Sequence, residues 1–154
     1  MKTDDLKLKI KNIVKRASKL KNKYINVKNM PVNYACIFSQ SEDEYQKLLK
    51  VTQKIGKIIK ETPTGPLFQI KELETASGVL KLLKIRIFDP TRPELGDADF
   101  TVPDFSRFEK KYLSKPNFKI MKKADFYMIE LIDDDFDVRA YFSNPPLDKQ
   151  LNIK

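Results

Sequence analysis

The chain of 154 residues contains no histidine, and that absence excludes more than any motif in it establishes. Ser-His-Asp and Cys-His catalysis cannot be built, nor can zinc or non-haem iron sites that need imidazole. Cys36 is the only cysteine, so no internal disulfide forms and nothing demands an oxidising compartment. Four glycines and no GxxxxGK[ST] leave the common phosphate-binding loop unavailable, and there is no GxSxG elbow. No run of 18 apolar residues occurs, so no membrane span is expected, and the amino terminus lacks the apolar core and small-residue cleavage site of a secretory signal. A cytoplasmic location is the expectation. Any chemistry must therefore run on carboxylates, Lys, Arg, Tyr, one thiol or an oxygen-ligated metal.

What is present is 41% hydrophobic and 33% charged, the balance of a soluble globular domain rather than a disordered chain. The net charge of +9 is concentrated: residues 1–30 hold ten Lys or Arg against Asp4 and Asp5, while the rest holds twenty basic and nineteen acidic groups. Over residues 4–24 the apolar side chains Leu6, Ile10, Ile13, Val14, Ala17, Leu20 and Tyr24 form one helical stripe. Lys7, Lys11, Lys15, Lys19 and Lys23 recur every four residues on another face, and Asp4 and Asp5 suit the positive end of the helix. The spacing predicts a basic amphipathic helix with its lead-in over 1–30, followed by one domain over 31–154.

Within that domain one order of elements occurs twice. Residues 32–39 read as a strand and 41–55 as a helix, with a capping box at Ser41 and Glu44 and Gly56 beyond its end. Strands follow at 57–62, 66–74 and 79–88. The proline-punctuated segment DPTRPELG, 89–96, is a linker. A strand at 97–102, a helix at 104–113 capped by Asp104, and strands at 118–124, 125–133 and 138–143 repeat the pattern. The tail SNPPLDKQLNIK reads as irregular. The expected fold class is α+β: two βαβββ modules, 32–88 and 97–143, forming a curled mixed sheet.

This tandem order, the IGKIIKE stretch after the first helix, and the match of IFSQSEDEYQKL with FTVPDFSRFEKKY resemble the vicinal oxygen chelate superfamily, the glyoxalase and extradiol-dioxygenase-like fold. The resemblance implies two curled half-sheets whose concave faces make a pocket, often holding a divalent metal on His, Gln or Glu from the first and last strands. It also implies that modules can pair between chains, so a homodimer is open. At the corresponding posts this sequence offers Asn33 or Tyr34, Asp97 or Asp99, and then Arg86 and Arg139, two cations where the family usually places a carboxylate ligand. A metal could be held only through Asp97, Asp99 or Glu130.

Strand alternation sorts the faces independently of that resemblance. Lys84 and Arg86 share one face of KIRIF; Asp97, Asp99 and Thr101 share one face of DADFT; Asp137, Arg139 and Tyr141 share one face of VRAYF; Glu130 lies with Phe126 and Met128. If these faces line the concave side, Lys84, Arg86, Arg139 and Tyr141 would bind a small anionic molecule, the paired arginines through bidentate contacts. Asp97, Asp99 and Glu130 would be its polar partners or acid/base groups, and any conversion would be a non-redox lyase or isomerase step. Cross-strand ion pairing alone accounts for such residues equally well. Cys36, alternating with Tyr34 and Phe38, is expected on an apolar face as inert core. Phe105, Phe108 and Tyr112 are expected to pack in the core, and Asp133, Asp134, Asp135 and Asp137 to form a solvated hairpin turn. The linker 89–96 is expected to be a plain crossover, with Arg92 and Glu94 reaching over the pocket rim as the other outcome. The alternative to a small-molecule site is a nucleic-acid-associated or protein-interaction module working through Lys7, Lys11, Lys15, Lys19 and Lys23.

Overall fold

A computed structural model describes residues 1–27 and 29–153; Lys28, in the segment 1–30, and Lys154, the last residue of 31–154, lie outside the described residues. The elements run α1 Thr3–Tyr24, β1 Val32–Phe38, α2 Glu42–Thr52, β2 Gly56–Lys60, β3 Leu67–Thr75, β4 Gly78–Arg86, β5 Gly96–Phe100, α3 Phe105–Tyr112, β6 Phe118–Lys122, β7 Tyr127–Leu131, β8 Val138–Asn144 and α4 Leu147–Gln150. Every helix and strand expected over 32–143 is present, with ends moved by a few residues. The tail differs from the expectation. Pro146 supplies the extended residue that opens α4, a position whose missing N–H costs a helix nothing, and Asp148 is held on Asn33 at 2.8 Å.

All eight strands join in one sheet of order β2-β3-β4-β1-β5-β8-β7-β6. β1 and β4 are parallel neighbours, as are β5 and β8, and the two halves meet through the antiparallel pair β1–β5. The sheet is therefore symmetric about its centre, with one βαβββ module on each side, and this is the curled mixed sheet that the element order implied.

The two faces of the sheet have different fates. Ala35, Ile37, Leu83, Ile85, Ala98, Phe100, Ile129, Ala140 and Phe142 are all buried and belong to the hydrophobic core. Leu48 and Val51 of α2 and Phe108 and Tyr112 of α3 join that core, with the Phe108 ring 4.8 Å from that of Phe142. Phe105 packs half-buried beside them, so the aromatic spacing of α3 did mark core.

α1 is part of the same core and not an appendage. Leu6, Ile10, Val14, Ala17 and Leu20 are fully buried against it. Its carboxyl end is fixed by Lys23 Nζ and the Tyr24 hydroxyl, which donate to Asp133 at 2.6 and 2.5 Å. These hydrogen bonds, Lys23 first, hold the Asp133 carboxyl down at about 2. Asp137, grouped by alternation with Arg139 and Tyr141, instead pairs with Arg16 of α1, because it precedes β8 and is free of the strand's pleat. Lys11, Lys15 and Lys19 remain in water.

Candidate functional site

The opposite face of the sheet carries the polar residues, and register decides which of them meet. Cys36 of β1 pairs with Lys84 on one side and Asp97 on the other, and Asp97 in turn pairs with Arg139. Lys84, Cys36, Asp97 and Arg139 thus form one row across four strands. The next row runs Tyr34, Asp99, Tyr141, Glu130. Above these rows lies a cavity of about 370 Å³, with Lys84, Arg86, Arg92 and Asp97 among its polar walls and Met121, Phe126 and Met128 among its apolar ones. Its size is at the lower end of that usual for small-molecule sites.

Cys36 faces this cavity, which corrects its expected place on the apolar side. Tyr34, Cys36 and Phe38 do share a face, but it is the concave one; three apolar-looking side chains in alternation say nothing of which side the helices cover. The thiol is buried, and burial followed by the nearby Asp97 pushes its pKa well up.

The linker also departs from a plain crossover. Asp89 accepts from the backbone N–H and hydroxyl of Thr91, at 2.9 and 2.6 Å, making the tight turn that sends Arg92 back over the sheet. The guanidinium carbons of Arg92 and Arg86 stand 5.6 and 5.9 Å from the Phe38 ring centroid, so two cations share one aromatic platform. Arg86 reaches Asp89 at 3.9 Å, and its Nε is buried with no hydrogen-bond partner.

Arg86 and Arg139 do not act as the expected pair. Arg139 donates from Nε to Glu94 Oε1 at 2.7 Å and from Nη1 to Glu130 Oε2 at 3.2 Å, and Glu130 also accepts from the Tyr141 hydroxyl at 2.6 Å. Burial alone would lower the Arg139 pKa, but the bond to Glu94, followed by the neighbouring Tyr141, raises it instead. Burial, then Asp97 and the bond to Glu130, push the Tyr141 phenol up as well. Glu130, Arg139, Tyr141 and Glu94 make a polar network that leaves Glu94 Oε2 unpartnered, and Arg92 is the residue that stands beside Arg86 at the cavity. Only the register and the fold of the linker bring it there; its single sequence signal is its place in RPELGD.

The three carboxylates differ in the same way. Asp97 lines the cavity at 7% exposure and its Oδ1 has no hydrogen-bond partner. Burial raises its pKa to about 7 against the pull of Lys84, Arg92, Arg139 and Arg86. Asp99 is fully buried; one oxygen accepts from the Ser143 hydroxyl and the other has no partner. Burial raises it too to about 7, opposed by Ser143 and helped by Asp97. Lys84 Nζ donates to Thr64 Oγ1 at 2.6 Å, and burial lowers its pKa. Thr64 is delivered by the turn before β3, where Gly65 has φ +131° and a Cβ would overlap the Ile85 carbonyl.

A divalent metal does not fit this donor set. Among the described residues no three Cys, Asp or Glu side chains form a metal-holding group, and the one carboxylate on the cavity wall is faced by Lys84, Arg86 and Arg92. Asp99 and Glu130 are engaged elsewhere. No helix among the described residues is long and apolar enough to cross a membrane.

Neither a protein-family model nor a curated protein matches this sequence. Among solved structures, the chain is similar to structural genomics protein EC4020, at 11% identity and a TM-score of 0.70 over 91% of this chain and 86% of that one. A glyoxalase/bleomycin resistance protein/dioxygenase superfamily member from Vibrio splendidus 12B01 aligns with 74% of this chain and 97% of its own at 7% identity and TM-score 0.45. Glyoxalase I from Zea mays aligns at 18% identity and TM-score 0.43, over 77% of this chain and 45% of its own. The paired βαβββ modules around one curled sheet are the architecture implied by the resemblance to the vicinal oxygen chelate superfamily, and the likeness to EC4020 is a likeness of fold.

Proposed function

We propose that the concave cavity binds a small anionic molecule. Its anionic group would rest on Arg86 and Arg92, with Lys84 beside it and Asp97 as the hydrogen-bonding or acid/base group. The observation that carries this reading is the pair of orphaned polar atoms at the cavity, Arg86 Nε and Asp97 Oδ1. Buried polar groups are almost always satisfied, because leaving one bare costs about 1–3 kcal/mol. Here a donor and an acceptor of two residues that line a space large enough for a ligand are left without partners, and a small turn of either side chain would let a bound molecule supply the missing bond. Asp99 and Glu130 serve as supports: Asp99 through Ser143, Glu130 by orienting Tyr141 and Arg139. Conversion, where it occurs, is a non-redox lyase or isomerase step with Asp97 as proton carrier.

The reading through the basic helix draws less support. α1 spends its apolar face on the core and Lys23 on Asp133, which leaves Lys11, Lys15 and Lys19 as an ordinary solvated face.

Calorimetric titration with inorganic phosphate, glycolate and pyridoxine 5′-phosphate tests the proposal. At least one should bind 1:1, and Arg86→Ala with Arg92→Ala should weaken it by about 10- to 100-fold, the loss of one charge-assisted hydrogen bond or more. Equal binding by the double variant, or no binding of any of the three, overturns it.

A further inference from the structure

Resting on the proposed anion site, we infer that Lys84 is a nucleophile that forms an imine with the carbonyl of a small aldehyde or ketone carrying a carboxylate or phosphate. The geometry is that of an amine freed for the purpose. Lys84 lies half-buried in the floor of the cavity, and among the described residues no carboxylate comes within ion-pairing distance of it. Its one hydrogen-bond partner is the neutral Thr64 hydroxyl. Arg86, on its own strand, and Arg92 are the cations near it; Cys36 and Asp97 are the acidic groups. A lysine in this setting, desolvated and next to other cations, spends more of its time as the neutral amine, which is the form that attacks a carbonyl. Burial is the main cause here, with Arg86 and Arg92 adding to it and the acidic neighbours opposing.

The neighbouring Asp97 completes the chemistry. It shares the row with Lys84 across Cys36, and burial keeps its carboxyl protonated up to about 7. The neutral amine adds to the carbonyl carbon: a C–N bond forms, the C=O π pair moves to oxygen, and one amine proton passes to that oxygen. The hydroxyl then leaves as water, taking the proton of Asp97, while the nitrogen lone pair closes the C=N bond. The balance is amine, carbonyl and carboxylic acid going to iminium, water and carboxylate, with no oxidant or reductant consumed. The products are a cation and an anion on the strands either side of β1, so Asp97 favours across the cavity floor what its proton helped to make. Arg86 and Arg92 on Phe38 fix the other end of the molecule, so the substrate class needs both a carbonyl and an anionic group.

Matched probes separate this step from simple binding. The full chain is incubated with dilute glyoxylate or pyridoxal 5′-phosphate, reduced with borohydride and mapped by peptide mass spectrometry. Glycolate and pyridoxine 5′-phosphate, which lack the carbonyl, serve as binding controls. One label per chain at Lys84 is expected, at least tenfold above any surface lysine. It should be absent from Lys84→Arg, which keeps a cation there but has no primary amine to condense with the carbonyl. Label scattered over surface lysines alike in parent and variant, with the controls still binding, overturns the imine and leaves the anion site standing. Failure of the controls and of inorganic phosphate to bind the parent overturns both.

Discussion

Asp99→Asn should stabilise the protein at high pH and not at low pH. Asp99 is wholly buried between Tyr34 and Tyr141 in the sheet, with one oxygen on Ser143 and the other bare. Its pKa moves from 3.8 to about 7, chiefly through burial. The folded chain thus keeps a proton that the unfolded chain has lost between about pH 4 and 7, and stability falls across that window as pH rises. Above both values the loss is complete. The move from 3.8 to about 7 corresponds to roughly 4 kcal/mol at most, and relaxation around the charge, shared with Asp97, reduces it to about half. Asn has the same shape, can still accept from Ser143 and never ionises. Urea denaturation should therefore show the variant more stable by about 2–4 kcal/mol at pH 8.5 and within about 0.5 kcal/mol of the parent at pH 4. A gain that is the same at both pH values, or a loss at pH 8.5, refutes the argument that an ionised, half-satisfied carboxylate is buried there.

Two further outcomes follow from the same geometry. Arg139→Ala leaves Glu94 and Glu130 buried without their cation and should destabilise the fold by about 3–5 kcal/mol in chemical denaturation, whatever it does to ligands; a change under 1 kcal/mol would mean that Arg139 is not what holds these carboxylates in place. Replacing Lys11, Lys15 and Lys19 together by Glu should shift stability by less than about 1 kcal/mol and leave anion binding intact by calorimetry; loss of binding would move the function to the helix.

Residues 4–24 show why α1 was legible: a stripe at helical spacing must be buried somewhere, and its surroundings need not be known. The same holds for the alternating strands, whose apolar sides went under the helices at Leu83, Ile85, Ala140 and Phe142. Cys36 shows the limit. Its face could be grouped with Tyr34 and Phe38, but whether that face was inside or outside depended on β1 lying between β4 and β5. A strand with apolar residues on both faces gives no local sign of which side is covered.

What the sequence by itself determined was the chemistry available and the order of elements: no imidazole, one thiol, two βαβββ modules, and charges placed on one face of four strands. Tertiary structure alone decided how those charges were shared out. Arg139 became the centre of a network with Glu94 and Glu130, Arg92 took the place beside Arg86, and Lys84 and Asp97 were left flanking one thiol with few partners. Periodicity is a property of neighbours along the chain and can be read there. Register between strands and the path of a linker are set by contacts far apart in sequence, and whether a buried charge is paired or bare depends on those contacts.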